Sequence, residues 1–475
     1  MHPHAAGGAG KAIAPYGSWE SPISAAAVSA AGRTAEGLAV AGNGRLVWVE
    51  TRPEEGGYAQ AQPPAPPRAV LVKEPAEPGG KARDVTPQGF AVRSLAQEYG
   101  GGAFAVQGDV VVFSNYSDQR LYKQTIGGPS SKICKFIAVL IMCSEDEQSN
   151  LVTTLYSLDA EFSKPMWIFG VSSYDFLGKD DSSHKIICCY RFSHFLIVGL
   201  YAFQKNQHAF FLSRQNGKSY VGVLDHDSDS FSKIDIPFSS VNNIVSGDGS
   251  FYIEGASASL PVSIAKVTLD EKRTIATDFS IVWSSSEDVA KFKSYFSFPE
   301  SVEFPTVIPG QHAYAYFYAP YNDIFQGSSD EKPPLLVRTH GGPTDEARGV
   351  LDLSVQYWTS RGWAFVHVNY GGSSGYGREF RERLLGQWGV VDVNDCCSCA
   401  AFLVVSPDQA TKIYKAIKDK GLPVALVEYE GEQHGFRKAE NIKFTLEQEM
   451  AFFARIVGKF KVADDITPIK IENFD

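Results

Sequence analysis

Residues 335–376 read LLVRTHGGPTDEARGVLDLSVQYWTSRGWAFVHVNYGGSSGY, and few folds can accommodate that order. Two short apolar runs, 335–337 and 364–368, flank a stretch at 350–361 whose apolar residues recur at helical spacing. Parallel strands cannot be joined by a tight turn and need a crossover of this kind, so the block predicts a strand–helix–strand unit of a parallel sheet. Glycines follow directly after the strand ends. His340, Gly341 and Gly342, with Pro343 behind them, leave backbone N–H groups clear of side-chain bulk at the carboxyl edge of the sheet, where an oxyanion hole is built. Far downstream, EYEGEQHGF at 428–436 follows a strand-like run at 423–429 and offers the imidazole of His434 in a loop. One loop is suited to polarising a carbonyl, the other to moving a proton.

On these residues the C-terminal third resembles the hydrolase domain of the prolyl oligopeptidase family of serine peptidases, in its acylaminoacyl-peptidase-like and dipeptidyl-peptidase-like branches. The matching pieces are the HGGP loop, NYGGSSGYGREF at 369–380, GQWGVVDVNDC at 386–396 and GEQHGF at 431–436. Upstream, WVETRPEEGG at 48–57, EYGGGAF at 98–104 and VVFSNYSDQRLY at 111–122 are similar to the opening of that family's β-propeller. The resemblance implies a doubly wound, mostly parallel α/β-hydrolase sheet preceded by a propeller. It also implies hydrolysis of peptide or acyl-aminoacyl bonds of short peptides by acyl-serine chemistry, with no cofactor and no metal.

Composition narrows the partners. The formal charge of −10 is spread thinly with no basic stripe, which argues against nucleic acid or an anionic membrane surface. Seven cysteines, crowded at 188–189 and 396–399, fit neither a secreted disulfide framework nor zinc-ligand spacing. The start of the chain has no basic stretch followed by an apolar region, and the longest apolar runs, 133–143 and 195–203, are too short to span a bilayer as helices. Together these features predict a cytoplasmic chain with reduced thiols. An organelle address stays open.

The organisation expected is an N-terminal extension over 1–36, β-rich sequence over 37–310 and a hydrolase domain over 311–475. Short runs rich in Val, Ile, Tyr and Phe, separated by Gly-Asn-Gly, Gln-Gly-Asp and Gly-Asp-Gly turns, predict hairpins repeated into a propeller. At about 40 to 50 residues per blade the region holds at most roughly five or six blades, whereas the family uses seven or eight. Two segments, 130–149 and 192–214, match nothing in the family pattern and are read as foreign to it.

The hydrolase frame is also short. Strand and helix alternate from 335 to 404, and then Ser406 and Pro407 read as the cap and first residue of another helix over 408–420. A crossover helix must return to a strand, so at least one strand is missing. By the resemblance, that strand carries the Gly-x-Ser-x-Gly elbow with the nucleophile, and the triad aspartate follows it. Of the three, only His434, the general-base remnant, is left.

Gly371-Gly372-Ser373-Ser374-Gly375 matches the elbow literally, which makes Ser373 an alternative nucleophile. It comes one strand too early, however, and its hydroxyl is expected to cap the following helix. Gly371 stands where the family's loop carries arginine. Asp392, Asp395 and Asp408 read as charges at helix starts, and His367 as a satisfied strand histidine. Besides a peptidase-family chain that is itself inactive, the sequence leaves two alternatives: a regulatory or binding protein that associates with a full-length relative, and a transcript product without a stable fold.

Overall fold

The structure, a computed structural model, describes residues 11–30, 32–53, 55, 68–77, 80–95, 101–127, 217–225, 230–247, 250–272, 274–286, 289–342, 344–404, 438–457, 462 and 466–467. It also gives backbone strands at 134–136, 174–177, 185–188, 197–203 and 208–215.

Turn chemistry and β-branched runs between residues 34 and 284 give antiparallel sheets in sequence order, each strand hydrogen-bonded to the next. Thr34–Val40, Leu46–Arg52, Arg68–Lys73 and Arg83–Asp84 form the first, and Phe104–Gln107, Val110–Asn115, Arg120–Thr125 and Cys134–Phe136 the second. Tyr174–Leu177 and Lys185–Cys188 make a two-stranded ladder. Ile197–Phe203, His208–Gln215, Lys218–Asp225 and Ser230–Ile234 make a four-stranded sheet, as do Ser240–Ser246, Ser250–Ala256, Ser263–Leu269 and Ala276–Ser284. Stretches expected to be foreign thus supply strands: Cys134–Phe136 closes one sheet, while Ile197–Phe203 and His208–Gln215 open another.

The last of these sheets packs on the first. Trp48, Val70 and Val72 share a buried cluster with Tyr252, Ile264 and Trp283. Two polar contacts cross that join: the Trp283 indole N–H donates to Glu50 Oε2 at 2.5 Å, and the Tyr252 hydroxyl to Glu74 Oε2 at 2.7 Å. The donor beside the buried Glu50 carboxylate offsets its desolvation cost, and Glu74 is half-buried.

The C-terminal unit is built on a mixed sheet in the order Glu300–Pro305, His312–Tyr318, Ala364–Asn369, Leu335–Thr339. The last two strands are parallel, with Leu335 opposite Ala364 and Thr339 opposite Val368. The crossover helix is Leu353–Thr359, shorter than the periodicity over 350–361 predicts, because the Asp352 side chain accepts from Ser354 N and fixes its start. One face of the sheet holds Phe304, Ala313, Ala315, Val366 and Val368 against Phe380, Leu384 and Cys399; Tyr316, Tyr318 and Phe365 cover the other with Tyr357, Trp358 and Trp363.

The N-terminal stretch is packed into this unit. Ala12–Ile13 pairs parallel with Phe325–Gln326, and helix Ala25–Ala30 lies against Leu353–Thr359 and the C-terminal helix Ala439–Val457. Ile23, Val28, Leu446 and Met450 share one buried cluster. Arg361, only 2% exposed, donates to Ile23 O at 2.9 Å and Tyr357 O at 3.0 Å and stacks on the Tyr357 ring 3.9 Å away. No helix among the described residues is long and apolar enough to cross a membrane.

Candidate functional site

Because Leu335–Thr339 and Ala364–Asn369 run parallel, their carboxyl ends open at the same edge of the sheet. The loops leaving them meet there, so residues 33 positions apart in sequence come into contact: His340 Nε2 lies 2.6 Å from Ser373 Oγ. Its ring stacks on Tyr370, with centroids 4.5 Å apart and planes at 21°, and its Nδ1 sits 3.0 Å from Gly341 O. Ser373 is fully buried, and its hydroxyl is also 2.8 Å from Tyr370 O. Burial holds the His340 imidazole below its usual pKa, opposed by the Gly341 carbonyl and the Asp345 charge. Burial also pushes the Tyr370 phenol up to about 12.

The rest of the loop is clamped from the same strand end. Asn369 Oδ1 accepts from Ala347 N at 2.7 Å, and its amide donates to Ala347 O at 3.1 Å and to the Tyr376 hydroxyl at 3.0 Å. Ser374 N donates to Asp345 O at 2.9 Å. Gly342 has φ +74°, a backbone state that side chains resist, and a Cβ on Gly341 would meet open space. Among the described residues no group accepts from the N–H of Gly341 or Gly342. Among those residues, both donors are left for an oxyanion.

Several expectations change. The helix after the glycine-rich loop, Arg378–Glu382, starts at Gly377 with no side-chain cap, so Ser373 bonds to His340 instead of capping it. Helix Val391–Val404 begins ahead of Asp395, which is therefore buried within it and accepts from Gly371 N at 2.8 Å. A Cβ on Gly371 would lie 2.9 Å from Val391 Cγ1 and 3.2 Å from Asp395 Oδ2, which explains why the long side chain carried there by the family does not fit. His434, Asp408, Ser406 and the strand-like run at 423–429 lie outside the described residues.

Asp395 gives a two-sided test. Its burial raises the carboxyl pKa, so the folded state favours the protonated acid, and this contribution falls away as pH rises through the carboxylate range. Asp395→Asn keeps an acceptor for Gly371 N and is expected to match the parent or exceed it in urea at pH 7. Asp395→Ala orphans that N–H and is expected to cost about 2 kcal/mol.

His367 is not the satisfied histidine the sequence predicts. It lies in register between Arg338 and Tyr316, and its Nε2 is buried without a partner among the described residues. Burial, then the Arg338 charge, lowers its pKa from 6.5 to about 4. A histidine depressed in the folded state contributes stability that is complete above its unfolded pKa and lost as pH falls through the folded one. The window is pH 6.5 down to 4, and the difference is about 3 kcal/mol. His367→Phe is expected to flatten that part of the urea midpoint's pH profile.

With this geometry in place, comparison with known proteins becomes informative. Residues 350–406 match the family model described as the prolyl oligopeptidase family. The chain is 34% identical over 82 residues to the acylamino-acid-releasing enzyme of Arabidopsis thaliana, a match covering 16% of this chain and 11% of that protein. It is also 34% identical over 86 residues to acylamino-acid-releasing enzyme 1 of Oryza sativa subsp. japonica, covering 18% and 11%. These matched segments are a small part of either relative's length.

In fold, the chain is similar to a puromycin-hydrolyzing peptidase of Mycobacterium tuberculosis, with TM-score 0.67, 21% identity and coverage of 97% of this chain and 100% of that one. A crystal structure of puromycin hydrolase gives TM-score 0.69, 20% identity and coverage of 97% and 99%. At these identities the likeness concerns fold, and that fold joins an α/β-hydrolase unit to a propeller domain. Over residues 350–406, which hold its crossover helix, the chain is similar to the prolyl oligopeptidase family.

Proposed function

We propose that this is a shortened serine-peptidase-family chain that binds short peptides or acyl-peptides at an intact oxyanion loop, His340-Gly341-Gly342, and does not cleave them. The observation that carries the reading is the position of strand Leu335–Thr339. In a doubly wound sheet the strand that leads into this loop is interior, flanked on both sides. Here its only hydrogen-bonded neighbour among the described residues is Ala364–Asn369. Leu335, Leu336 and Val337 are half-buried and Arg338 and Thr339 exposed, whereas Val366 and Val368 next to them are completely covered.

Among the described residues that edge is open, and the gap in the sequence falls where its next strand would come. Helix Val391–Val404 is followed two residues later by Ser406-Pro407, leaving no length for a strand, an elbow serine and a triad aspartate. In this reading His434 is the base remnant without a serine to deprotonate. Ser373, its hydroxyl sealed and shared between His340 and Tyr370 O, has no room to receive an acyl carbon. The domains are then 1–36 as an N-terminal extension packed onto the hydrolase unit, 37–310 as a propeller with fewer blades than its relatives, save that Glu300–Pro305 already joins the hydrolase sheet, and 311–475 as the incomplete hydrolase unit, in a cytoplasmic chain.

The expected result with an acetylated tripeptide is saturable binding with the peptide recovered uncut by mass spectrometry. Stoichiometric cleavage during the incubation contradicts the reading.

The same edge favours a second reading, a regulatory chain that adds its unpaired strand to a full-length relative. Co-expression with an active acylaminoacyl-peptidase-like relative is then expected to yield a mixed complex in size-exclusion chromatography. Separate elution of the two chains sinks it.

A further inference from the structure

The contact between His340 and Ser373 poses a proton-counting problem. Three acceptors crowd two neutral groups: Gly341 O faces Nδ1 at 3.0 Å, Nε2 faces Ser373 Oγ at 2.6 Å, and Tyr370 O faces the same Oγ at 2.8 Å. A neutral imidazole and one hydroxyl hold two protons between them. If the ring proton sits on Nε2, the Nδ1 lone pair points at the Gly341 carbonyl oxygen 3.0 Å away and the two repel, with only the Tyr370 hydroxyl, 3.5 Å away and itself shared with His340 O, to turn to. If it sits on Nδ1, the imidazole donates to Gly341 O and the serine proton turns to Nε2.

We infer that Ser373 is a positioning residue whose hydroxyl keys the tautomer of His340 and, through it, the orientation of the Gly341–Gly342 peptide. The trans peptide sets the consequence, because its C=O and N–H point in opposite directions. Pinning the Gly341 carbonyl to Nδ1–H aims the Gly342 N–H away from the imidazole. When the ring takes up a proton at Nε2, that N–H donates to Ser373 Oγ and the hydroxyl rotates to Tyr370 O. No proton is left over, and Nδ1–H stays on Gly341. The serine therefore lets the histidine titrate without releasing the glycine peptide.

Charges that bear on this pair come from each packed element: Asp345 from the loop itself, His367 from the adjacent strand, and Asp392 through Tyr370. The inference deepens the oxyanion-loop reading and rests on it only for its use, since the proton arrangement is measurable without turnover.

The experiment is a long-range proton–nitrogen spectrum of the full chain labelled with ¹⁵N-histidine, the His340 signals assigned by their loss in His340→Gln. Above its titration His340 is expected as the pure Nδ1–H tautomer, and a Nε2–H tautomer overturns the inference. In Ser373→Ala the imidazolium loses the acceptor for its Nε2–H, so the proton affinity of His340 is expected to drop about tenfold, one pKa unit. An unchanged titration also overturns it. Should that variant fail to fold, the tautomer of the unaltered chain still decides.

Adding phenylboronate, a tetrahedral anion mimic, and following the Gly342 amide separates this inference from the reading beneath it. A shifted amide supports both. A silent amide beside a Nδ1–H imidazole removes the oxyanion role and leaves the tautomer lock standing.

Discussion

Turnover of an acyl-aminoacyl substrate by the purified chain is expected to lie about a million-fold below that of an active member of the family. Removing the nucleophile of a serine hydrolase typically costs on the order of 10⁶ in kcat, with a residue of roughly 10³ to 10⁴ over water left by oxyanion and binding effects. Among the described residues nothing accepts from the N–H groups of Gly341 and Gly342, so some of that residue should survive as weak polarisation of a bound carbonyl. Ser373→Ala is expected to lower this background only modestly, through looser positioning of the glycine peptide and not through lost attack, because a hydroxyl without exposed surface that also contacts a backbone carbonyl has no path to a substrate carbon. Initial rates on acetyl-alanyl p-nitroanilide, parent against variant, check both statements. A rate within a hundredfold of an active relative, abolished by Ser373→Ala, would mean that the elbow has moved.

A second large effect is expected at the other end of the chain. Deleting residues 1–30 removes the Ala12–Ile13 pairing and uncovers the surfaces against which Trp19, Ile23 and Val28 are buried. Burying each such side chain is worth about 1.5–3 kcal/mol, so the loss over the three is about 4.5–9 kcal/mol, comparable with the net stability of a whole domain. The deletion is expected to abolish cooperative melting of the C-terminal unit, which differential scanning calorimetry would register as loss of a transition. Arg361→Ala is the point-mutation counterpart. It removes two charge-assisted bonds to Ile23 O and Tyr357 O and the stack on Tyr357, and is expected to cost about 3 kcal/mol or more. Arg361→Lys should recover little of this, since an ammonium cannot lie flat on the ring while serving both carbonyls. A truncated chain that melts like the parent would show that 1–30 is a dispensable appendage.

The parts legible in the sequence were those governed by local periodicity. Short apolar runs around glycines gave the strands Leu335–Thr339 and Ala364–Asn369 to within two residues, and the helical spacing between them gave the crossover. Helix ends are less legible because caps decide them: Asp352 starts one helix late, and helix Val391–Val404 begins with Asp392 in its first turn and Asp395 already inside it. The packing of Ala25–Ala30 onto the C-terminal helix was invisible, as that contact joins the two ends of the chain and an alanine-rich stretch carries no pattern naming its partner.

At the site, the HGG loop was legible and its fixings were not. The sequence predicts a helix-capping role for Ser373 because serine before a helix usually caps it, yet tertiary proximity of two parallel strand ends gives its hydroxyl a stronger partner in His340. Parallel register alone would have placed these two loops side by side. His367 and Asp395 were misjudged for a related reason. Strand and helix membership was clear, but whether a polar atom ends up beside a donor depends on which neighbour the sheet brings across from it.

The most direct measurement is the intact mass of the whole chain after saturating treatment with a fluorophosphonate, which esterifies an activated serine and ignores ordinary ones. The account predicts an unshifted mass, with and without the His434→Gln substitution. A single stoichiometric adduct on any serine of the chain would contradict it.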